Sequence, residues 1–233
     1  MTKFIAVISG KGGVGKTTVA INLALALLSV GRRTVLLDAD LHTPNVGLHL
    51  GAHFSPKNSY DVIEDGESIL DVSYRHISGL QMIPAKLHAD ISITHFNKLA
   101  GKLRELDDSA EIVLVDMPSG LNSDLKVMLE KCDHSIVVAT PDFPSVTSAL
   151  KAIRLSHDLG KQVLGAVVNM ESRDDFEMGK EEIEAMLGTR VLVSIPDESS
   201  IRESISLRKP VMYSHPQSVS AEMFRKLAIS LLA

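Results

Sequence analysis

The sequence predicts an α/β fold, with helices packed on both faces of a mostly parallel central sheet. Three observations support this: short apolar runs alternate with longer helix-like stretches, most runs are apolar at every position, and glycines stand where two of the helix-like stretches should stop. Strands that are apolar throughout are typical of parallel sheets, because both of their faces are buried. The alternation predicts consecutive β–α–β units with right-handed crossovers.

The apolar runs predict strands, and the helix-like stretches between them predict helices. The predicted strands are residues 4–8, 34–37, 80–83, 112–115, 135–139, 162–168 and 191–195. The predicted helices are residues 16–30, 95–106, 123–131, 145–159, 177–187, 199–207 and 221–232. Gly31 and Gly160 are the two glycines at predicted helix ends. We see no linker or repeat between the segments and therefore predict one domain over residues 1–233, with residues 51–71 the least regular part.

Composition excludes several classes of protein. The 24 Lys and Arg against 29 Asp and Glu give a net charge of −5, which argues against a broadly basic surface for nucleic acid. A hydrophobic fraction of 45% and a charged fraction of 23% are typical of a folded chain with a core. The one cysteine, Cys132, excludes an intrachain disulfide and a four-cysteine zinc site. With no recognisable targeting signal, the expected location is the cytoplasm.

A glycine-rich segment follows the first predicted strand and opens the first predicted helix. It fits the pattern G-x-x-x-x-G-K-[ST] and consists of Gly10, Lys11, Gly12, Gly13, Val14, Gly15, Lys16, Thr17 and Thr18. Its glycines allow the tight turn that aims backbone N–H groups at phosphate oxygens, and the helix adds its positive end. We expect Lys16 to reach the β- and γ-phosphates, Thr17 to offer its hydroxyl to Mg²⁺, and Thr18 to reach the α-phosphate.

Three aspartates follow buried strands, at the edge of the sheet where open α/β folds bind ligands. Asp116 ends the strand at residues 112–115, the arrangement that holds Mg²⁺ beside a phosphate loop. Asp38 and Asp40 follow the strand at residues 34–37. A carboxylate near the γ-phosphate is suited to acting on the attacking water. The alternative is that Asp38 and Asp40 only cap a following helix.

The second lysine of the phosphate loop, Lys11, is not required by the general pattern. The form KGGVGKTT resembles the deviant phosphate loop of the MinD/ParA family of ATPases. Further segments are similar to that family's two switches, its T-P-[ED]-x-x-S-V segment and its adenine-contacting strand ends; they are residues 38–45, 115–120, 140–146, 168–169 and 195–197. The overall pattern is most similar to the MinD-like members.

The resemblance implies ATP/ADP and Mg²⁺ as cofactors, and a homodimer in the ATP state with two nucleotides between its subunits. Lys11 would reach the phosphates of the opposite subunit and act in catalysis with Lys16 and Asp40. Asp40 would orient the attacking water, and Asp38 would bind Mg²⁺ through water or support the first switch. The metal ligands would be Thr17, Asp38 and Asp116.

The resemblance also implies contacts to the base of the nucleotide. They would come from Asn169, Pro196 and Asp197. The side-chain amide of Asn169 can both donate to and accept from an adenine edge. The alternative for Asn169 is an ordinary strand-end residue that turns the chain.

Four functions are compatible with this reading of the sequence. The first is a MinD-like regulator that switches with ATP and positions or recruits an unidentified partner protein, as in placement of a division site. The second is a ParA-like partition ATPase that binds DNA, which the charge of −5 disfavours. The third is a metal-cluster carrier, which a lone cysteine disfavours. The fourth is a small-molecule enzyme such as a biotin-pathway synthetase, which Lys11 disfavours.

The last predicted helix bears on membrane binding. Its apolar stripe is Phe224, Leu227, Ala228 and Leu231. Its few cations are Arg225 and Lys226, with Glu222 offsetting one of them. Surface-binding helices need a basic polar face and freedom from the core. We therefore expect this stripe to pack onto the domain, direct membrane binding to be weak or absent, and any peripheral location to depend on a partner.

Overall fold

One mixed sheet organises the part of the chain that the structure describes. This computed structural model describes residues 1–52, 55, 57–87, 89–172 and 174–232. The strands are β1 (Lys3–Ile8), β2 (Thr34–Asp38), β3 (Tyr74–Arg75), β4 (Gln81–Ile83), β5 (Ile112–Asp116), β6 (His134–Ala139), β7 (Gln162–Glu171) and β8 (Val191–Pro196). Their order is β3-β4-β2-β5-β1-β6-β7-β8, and the neighbouring strands are parallel except for the antiparallel pair β3 and β4.

Helices connect the strands and cover both faces of the sheet. They are α1 (Lys16–Ser29), α2 (Val46–His49), α3 (Ser59–Glu64), α4 (Ile93–Lys102), α5 (Ser123–Leu129), α6 (Phe143–Asp158), α7 (Lys180–Leu187), α8 (Ser199–Ser206), α9 (Val211–Ser214) and α10 (Val219–Ser230). A 3₁₀ turn, Leu103–Leu106, extends α4. Every residue of β2 and β5 is buried, which is why residues 35–37 and 112–115 are apolar without alternation. The predicted α/β class is confirmed.

Two apolar clusters form the core, one on each face. One cluster joins the sheet to α4, α5, α6 and α7. The other joins it to α1, α9 and α10. Helix α1 is buried over almost its whole length, because it lies between the sheet and α10. The predicted stripe of α10 packs in this second cluster, with Phe224, Leu227 and Ala228 fully buried.

The predicted strand bounds agree with the structure to within one residue, except at the end of β7, and larger differences occur at some helix ends. The short elements β3, α2, α3 and α9 were not predicted. Each has two to six residues, too few to show a periodic pattern. Helix α3 lies inside the stretch expected to be irregular, and it begins with a capping box in which Asn58 and Asp61 bond each other's backbone N–H groups.

Candidate active site

The phosphate loop joins the central strand β1 to α1, at the carboxyl edge of the sheet. Gly13 and Gly15 have φ values of 82° and 80°, a region that other residues rarely adopt. Two glycines also have close neighbours. A Cβ at Gly10 would lie 2.0 Å from the backbone oxygen of Ser148, and one at Gly15 would lie 2.2 Å from Nδ2 of Asn169. The conformation of the loop therefore depends on glycine at these positions.

The inner end of the loop is tied to the end of β5. Lys16 Nζ lies 2.9 Å from Asp116 Oδ1, and Thr17 Oγ1 donates to Asp116 Oδ2 at 2.6 Å. The Lys16 side chain is 5% exposed and Asp116 is fully buried. Buried charges are tolerated when they are paired and hydrogen-bonded in this way. The structure thus brings together three of the predicted site residues.

Asp38 ends β2 directly beside Asp116, its partner in the register of the two parallel strands. Its Oδ2 accepts from the backbone N–H groups of Asn45 and Val46, both at 3.1 Å, and its Oδ1 accepts from that of Asp40 at 3.2 Å. Burial, followed by the charge of Asp116, raises the pKa of the Asp38 carboxyl well above its usual value. Asp38 therefore does cap α2, and it also places a second carboxyl beside Asp116.

Asp40 lies on the wall of a cleft in front of the phosphate loop. The cleft has a volume of about 450 Å³ and is lined by Ser9, Gly12–Thr18, Asp40, Thr43, Asn45, His49, Ser119 and Ile205. Asp40 Oδ1 accepts from the backbone N–H of Thr43 at 3.0 Å, which closes a turn over residues 40–43. Asp40 thus lies on the same cleft as Lys16 and Thr17.

His49 and Ile205 line the cleft, and no sequence motif predicts them there. No local motif marks them, because α2 and α8 bring them to the cleft from distant parts of the chain. Burial lowers the pKa of the His49 imidazole, so the side chain is favoured in its neutral form.

Asn169 lies near the end of β7, underneath the loop. Its Nδ2 donates to the backbone oxygen of Val14 at 2.9 Å, while its Oδ1 is buried without a hydrogen-bond partner among the described residues. Pro196 ends β8, and the backbone N–H of Asp197 donates to the oxygen of Glu171 at 2.9 Å. The carboxylate of Asp197 pairs with Arg202. Of the three predicted base-contacting residues, Asn169 is the one with a hydrogen bond to the loop among the described residues, and all three contacts stay predictions.

Lys11 differs from the other loop residues because its side chain is 51% exposed. Its Nζ lies 3.8 Å from Asp142 Oδ1, and that carboxylate also caps α6 by accepting from the backbone N–H of Ser145. The interaction is long and open to solvent, so it holds Lys11 only weakly.

The comparisons with known proteins decide the family. A model of the ParA family, described as NUBPL iron-transfer P-loop NTPase, matches residues 1–232. The chain belongs to the ParA family of P-loop NTPases. This ParA-family chain is 33% identical over 233 residues to an uncharacterized ATP-binding protein of Methanocaldococcus jannaschii, with 98% of this chain and 87% of that protein covered.

Two further relatives of this ParA-family chain point to different functions. It is 31% identical over 245 residues to the iron-sulfur cluster carrier protein of Haemophilus influenzae, with 96% of this chain but 64% of that protein covered. The structure of the septum site-determining protein MinD of Pyrococcus horikoshii, complexed with Mg-ADP, matches with a TM-score of 0.94 and 28% identity. That match covers 99% of this chain and 96% of the other. The expected membership of the MinD/ParA family is confirmed.

Proposed function

We propose that this chain binds Mg-ATP in the cleft, hydrolyses it slowly, and acts as an ATP-dependent homodimer that positions or recruits a partner protein. The observation that carries the proposal is the cluster of Lys16 and Thr17 on the buried carboxylate of Asp116, at the foot of the phosphate loop. This cluster supplies a cation, a hydroxyl and a carboxylate where the β- and γ-phosphates of a nucleotide would lie. The proposed domain is the whole of residues 1–233.

The donor set fits Mg²⁺ in a nucleotide complex. Thr17 Oγ1 and the Asp116 carboxylate provide hard oxygen atoms, and Asp38 adds a second carboxyl next to them. Among the residues that the structure describes, no group of three or more His, Cys, Asp or Glu is arranged to hold a metal by itself. The remaining ligands would be phosphate oxygens and water, as Mg²⁺ prefers. When bound, the ion would neutralise negative charge on the phosphates.

The proposed contact to the base of ATP rests on the unpaired acceptor of Asn169, which lies under the loop and is not among the residues that line the cleft. Because Nδ2 of this amide is used by the backbone of Val14, its orientation is set and Oδ1 is left as a buried acceptor. A buried acceptor without a partner is costly, and the exocyclic amino group of adenine is a donor that would satisfy it. The guanine ring carries a carbonyl oxygen at the corresponding position, so the same contact would disfavour it.

In hydrolysis, the side chains of the cleft have separate tasks. Lys16 stabilises charge on the phosphates, and Asp40 orients the attacking water. The exposed Lys11 is available to the phosphates of a second subunit, where it would act as a cation supplied in trans. Positioning and charge stabilisation account for most of the catalysis of phosphoryl transfer, so residues without covalent roles suffice.

A metal-cluster carrier is the alternative favoured by the family description and by the Haemophilus relative. The one cysteine of the chain argues against it. Cys132 is fully buried, and burial raises the pKa of its thiol to about 12. A cysteine binds a metal as its thiolate, and burial disfavours that form of Cys132. DNA partition stays a weaker alternative, because the net charge of −5 offers no general attraction to phosphate backbones.

Asp40→Ala provides the central test. Since Asp40 is proposed to act on water and not on bound phosphates, the variant should bind ATP with wild-type affinity and lose hydrolysis. Light scattering should then show a dimer with Mg-ATP and a monomer with ADP or with EDTA. A monomer in every state would refute the switch, and equal losses of affinity and turnover would assign Asp40 to binding or folding instead.

The partner is proposed to be a protein and not a lipid surface. No helix within the described ranges is both long and apolar enough to cross a membrane. Phe224, Leu227 and Ala228 of the apolar stripe are buried where α10 packs on α1 and β8, so these three side chains are not available to a bilayer surface. In sedimentation with anionic liposomes, the Asp40→Ala protein with ATP should stay in solution. Strong ATP-dependent co-sedimentation would restore direct membrane binding.

A further inference from the structure

A side-chain contact joins the two loops that border the cleft. His42 Nε2 lies 2.9 Å from Asp124 Oδ2. His42 belongs to the loop after β2, which carries Asp40, and Asp124 lies in the first turn of α5, directly after the loop that carries Ser119. The contact therefore links the two segments that face each other across the site.

The environment of Asp124 shows that this contact matters to the carboxylate. Its side chain is 12% exposed, and Oδ1 accepts from the hydroxyl of Ser123 at 3.2 Å. A carboxylate has no hydrogen to give, so Nε2 of His42 is the donor. Because a nearly buried oxygen atom without a hydrogen-bond donor is costly, loss of His42 would leave Asp124 Oδ2 poorly satisfied.

The ring of His42 is held from a second side. Its centroid lies 5.4 Å from that of Phe96, with the planes tilted by 42°. Phe96 is fully buried in α4, which packs against α5. His42 is thus fixed between two helices, although its side chain is partly exposed to solvent.

The position of His42 bears directly on Asp40. The hydrogen bond from the backbone of Thr43 to Asp40 Oδ1 closes a turn that contains His42. A shift of the His42 backbone would therefore shift this turn and the carboxylate with it. We propose that the His42–Asp124 contact is a latch between the two loops, and that both are positioning residues for Asp40. This inference rests on the proposed ATPase function of the cleft.

Three single variants separate the hydrogen bond from simple packing. His42→Phe keeps a ring against Phe96 and removes the donor, whereas His42→Gln keeps an amide donor near the position of Nε2. The matched control is His95→Phe, which removes another histidine that pairs with a carboxylate, Glu64 at 3.4 Å, and stacks on an aromatic ring, Tyr60. That pair does not join the two loops.

We expect His42→Phe to lower kcat for ATP hydrolysis about tenfold, with the Kd for ATP changed less than about twofold. His42→Gln should retain most of the turnover, and His95→Phe should hydrolyse ATP like the wild type. In a double-mutant cycle, adding Asp124→Ala to His42→Phe should cost little more than either change alone. Unchanged kcat in His42→Phe, equal losses in the Phe and Gln variants, or additive losses would overturn the latch.

Hydrogen exchange keeps the latch testable if the wild type proves not to hydrolyse ATP. In nucleotide-free protein, the backbone N–H groups of Thr43 and Val46, which bond Asp40 and Asp38, should exchange faster in His42→Phe than in the wild type or His95→Phe. Inactive wild-type protein with this pattern would refute the proposed function and retain the latch. Wild-type protein that hydrolyses ATP, together with unchanged exchange in His42→Phe, would support the proposed function and refute the latch.

Discussion

The two ends of the phosphate loop differ in how completely the chain supports them. At the inner end, the Lys16 side chain is 5% exposed and 2.9 Å from Asp116. At the outer end, the Lys11 side chain is 51% exposed and 3.8 Å from Asp142, itself half exposed. The first pair lies in a low-dielectric interior, and the second is screened by water. At the inner end, Lys16 is thus held by a residue of its own chain. At the outer end, Lys11 is exposed and can contact a second molecule.

The largest effect should come from removing the inner lysine. We expect Lys16→Ala to weaken ATP binding by at least about 100-fold, because charge-assisted bonds to the phosphates are lost. The change also leaves Asp116 buried without its cation, so thermal stability should fall. Calorimetry with ATP and a melting curve measure the two effects separately. Unchanged affinity in folded protein would show that the loop does not bind phosphate.

Lys11→Ala is the matched change at the outer end. Its ATP affinity as a monomer should stay within about threefold of the wild type, since a solvent-exposed pair contributes little. The ATP-dependent dimer should be lost, because the proposed task of Lys11 lies on the opposite subunit. Light scattering in the Asp40→Ala background measures this. If the Lys11→Ala, Asp40→Ala double variant formed a dimer as stable as that of Asp40→Ala alone, Lys11 would have no role on the opposite subunit.

Replacing Asn169 should have the smallest effect of the three changes. It tests whether the residue that bonds the backbone of the loop also contacts the base of the nucleotide. Asn169→Ala removes the bond to Val14 and the proposed adenine contact, which together should weaken ATP binding by about 3- to 10-fold. The ratio of ATP to GTP affinity should fall as well. Asn169→Asp is the control, because it keeps an acceptor and loses the donor to the Val14 oxygen. If Asn169→Ala kept the wild-type preference for ATP over GTP, the amide of Asn169 would have a structural role only.

The long elements could be predicted from the sequence because their signals are local. Strands β2 and β5 are apolar without interruption over residues 35–37 and 112–115, and Gly31 ends α1 with a φ of 81°. The edge strand β3 has two residues and an antiparallel partner, so its pairing carries no periodic signal. Helices α2 and α3 depend on caps at their N-termini. The cap of α2 comes from Asp38, which lies at the end of β2 and not next to the helix in sequence.

In the candidate site too, only features with a local sequence signal could be predicted. The phosphate loop and Asp116 were predicted because the loop has a fixed spacing and the aspartate ends a buried strand. The contacts between distant segments were not predicted: Gly10 against Ser148, Asn169 under Val14, and His42 with Asp124. The two hydrogen-bonded pairs are 82 and 155 positions apart in the chain. No spacing rule in a single sequence predicts such contacts.

The burial of α1 sets an order of events during synthesis. Its outer side is covered by α10, and Asn22 in α1 accepts a hydrogen bond from the backbone of Met212, 190 residues further along the chain. At about 5–20 residues per second, a ribosome needs roughly 10–40 s to make that stretch. Until then the apolar back of α1 stays uncovered, and the helix that positions Lys16 is incompletely anchored. A nascent chain should therefore bind phosphate only after residues 212–230 have been made, long after the loop itself has emerged.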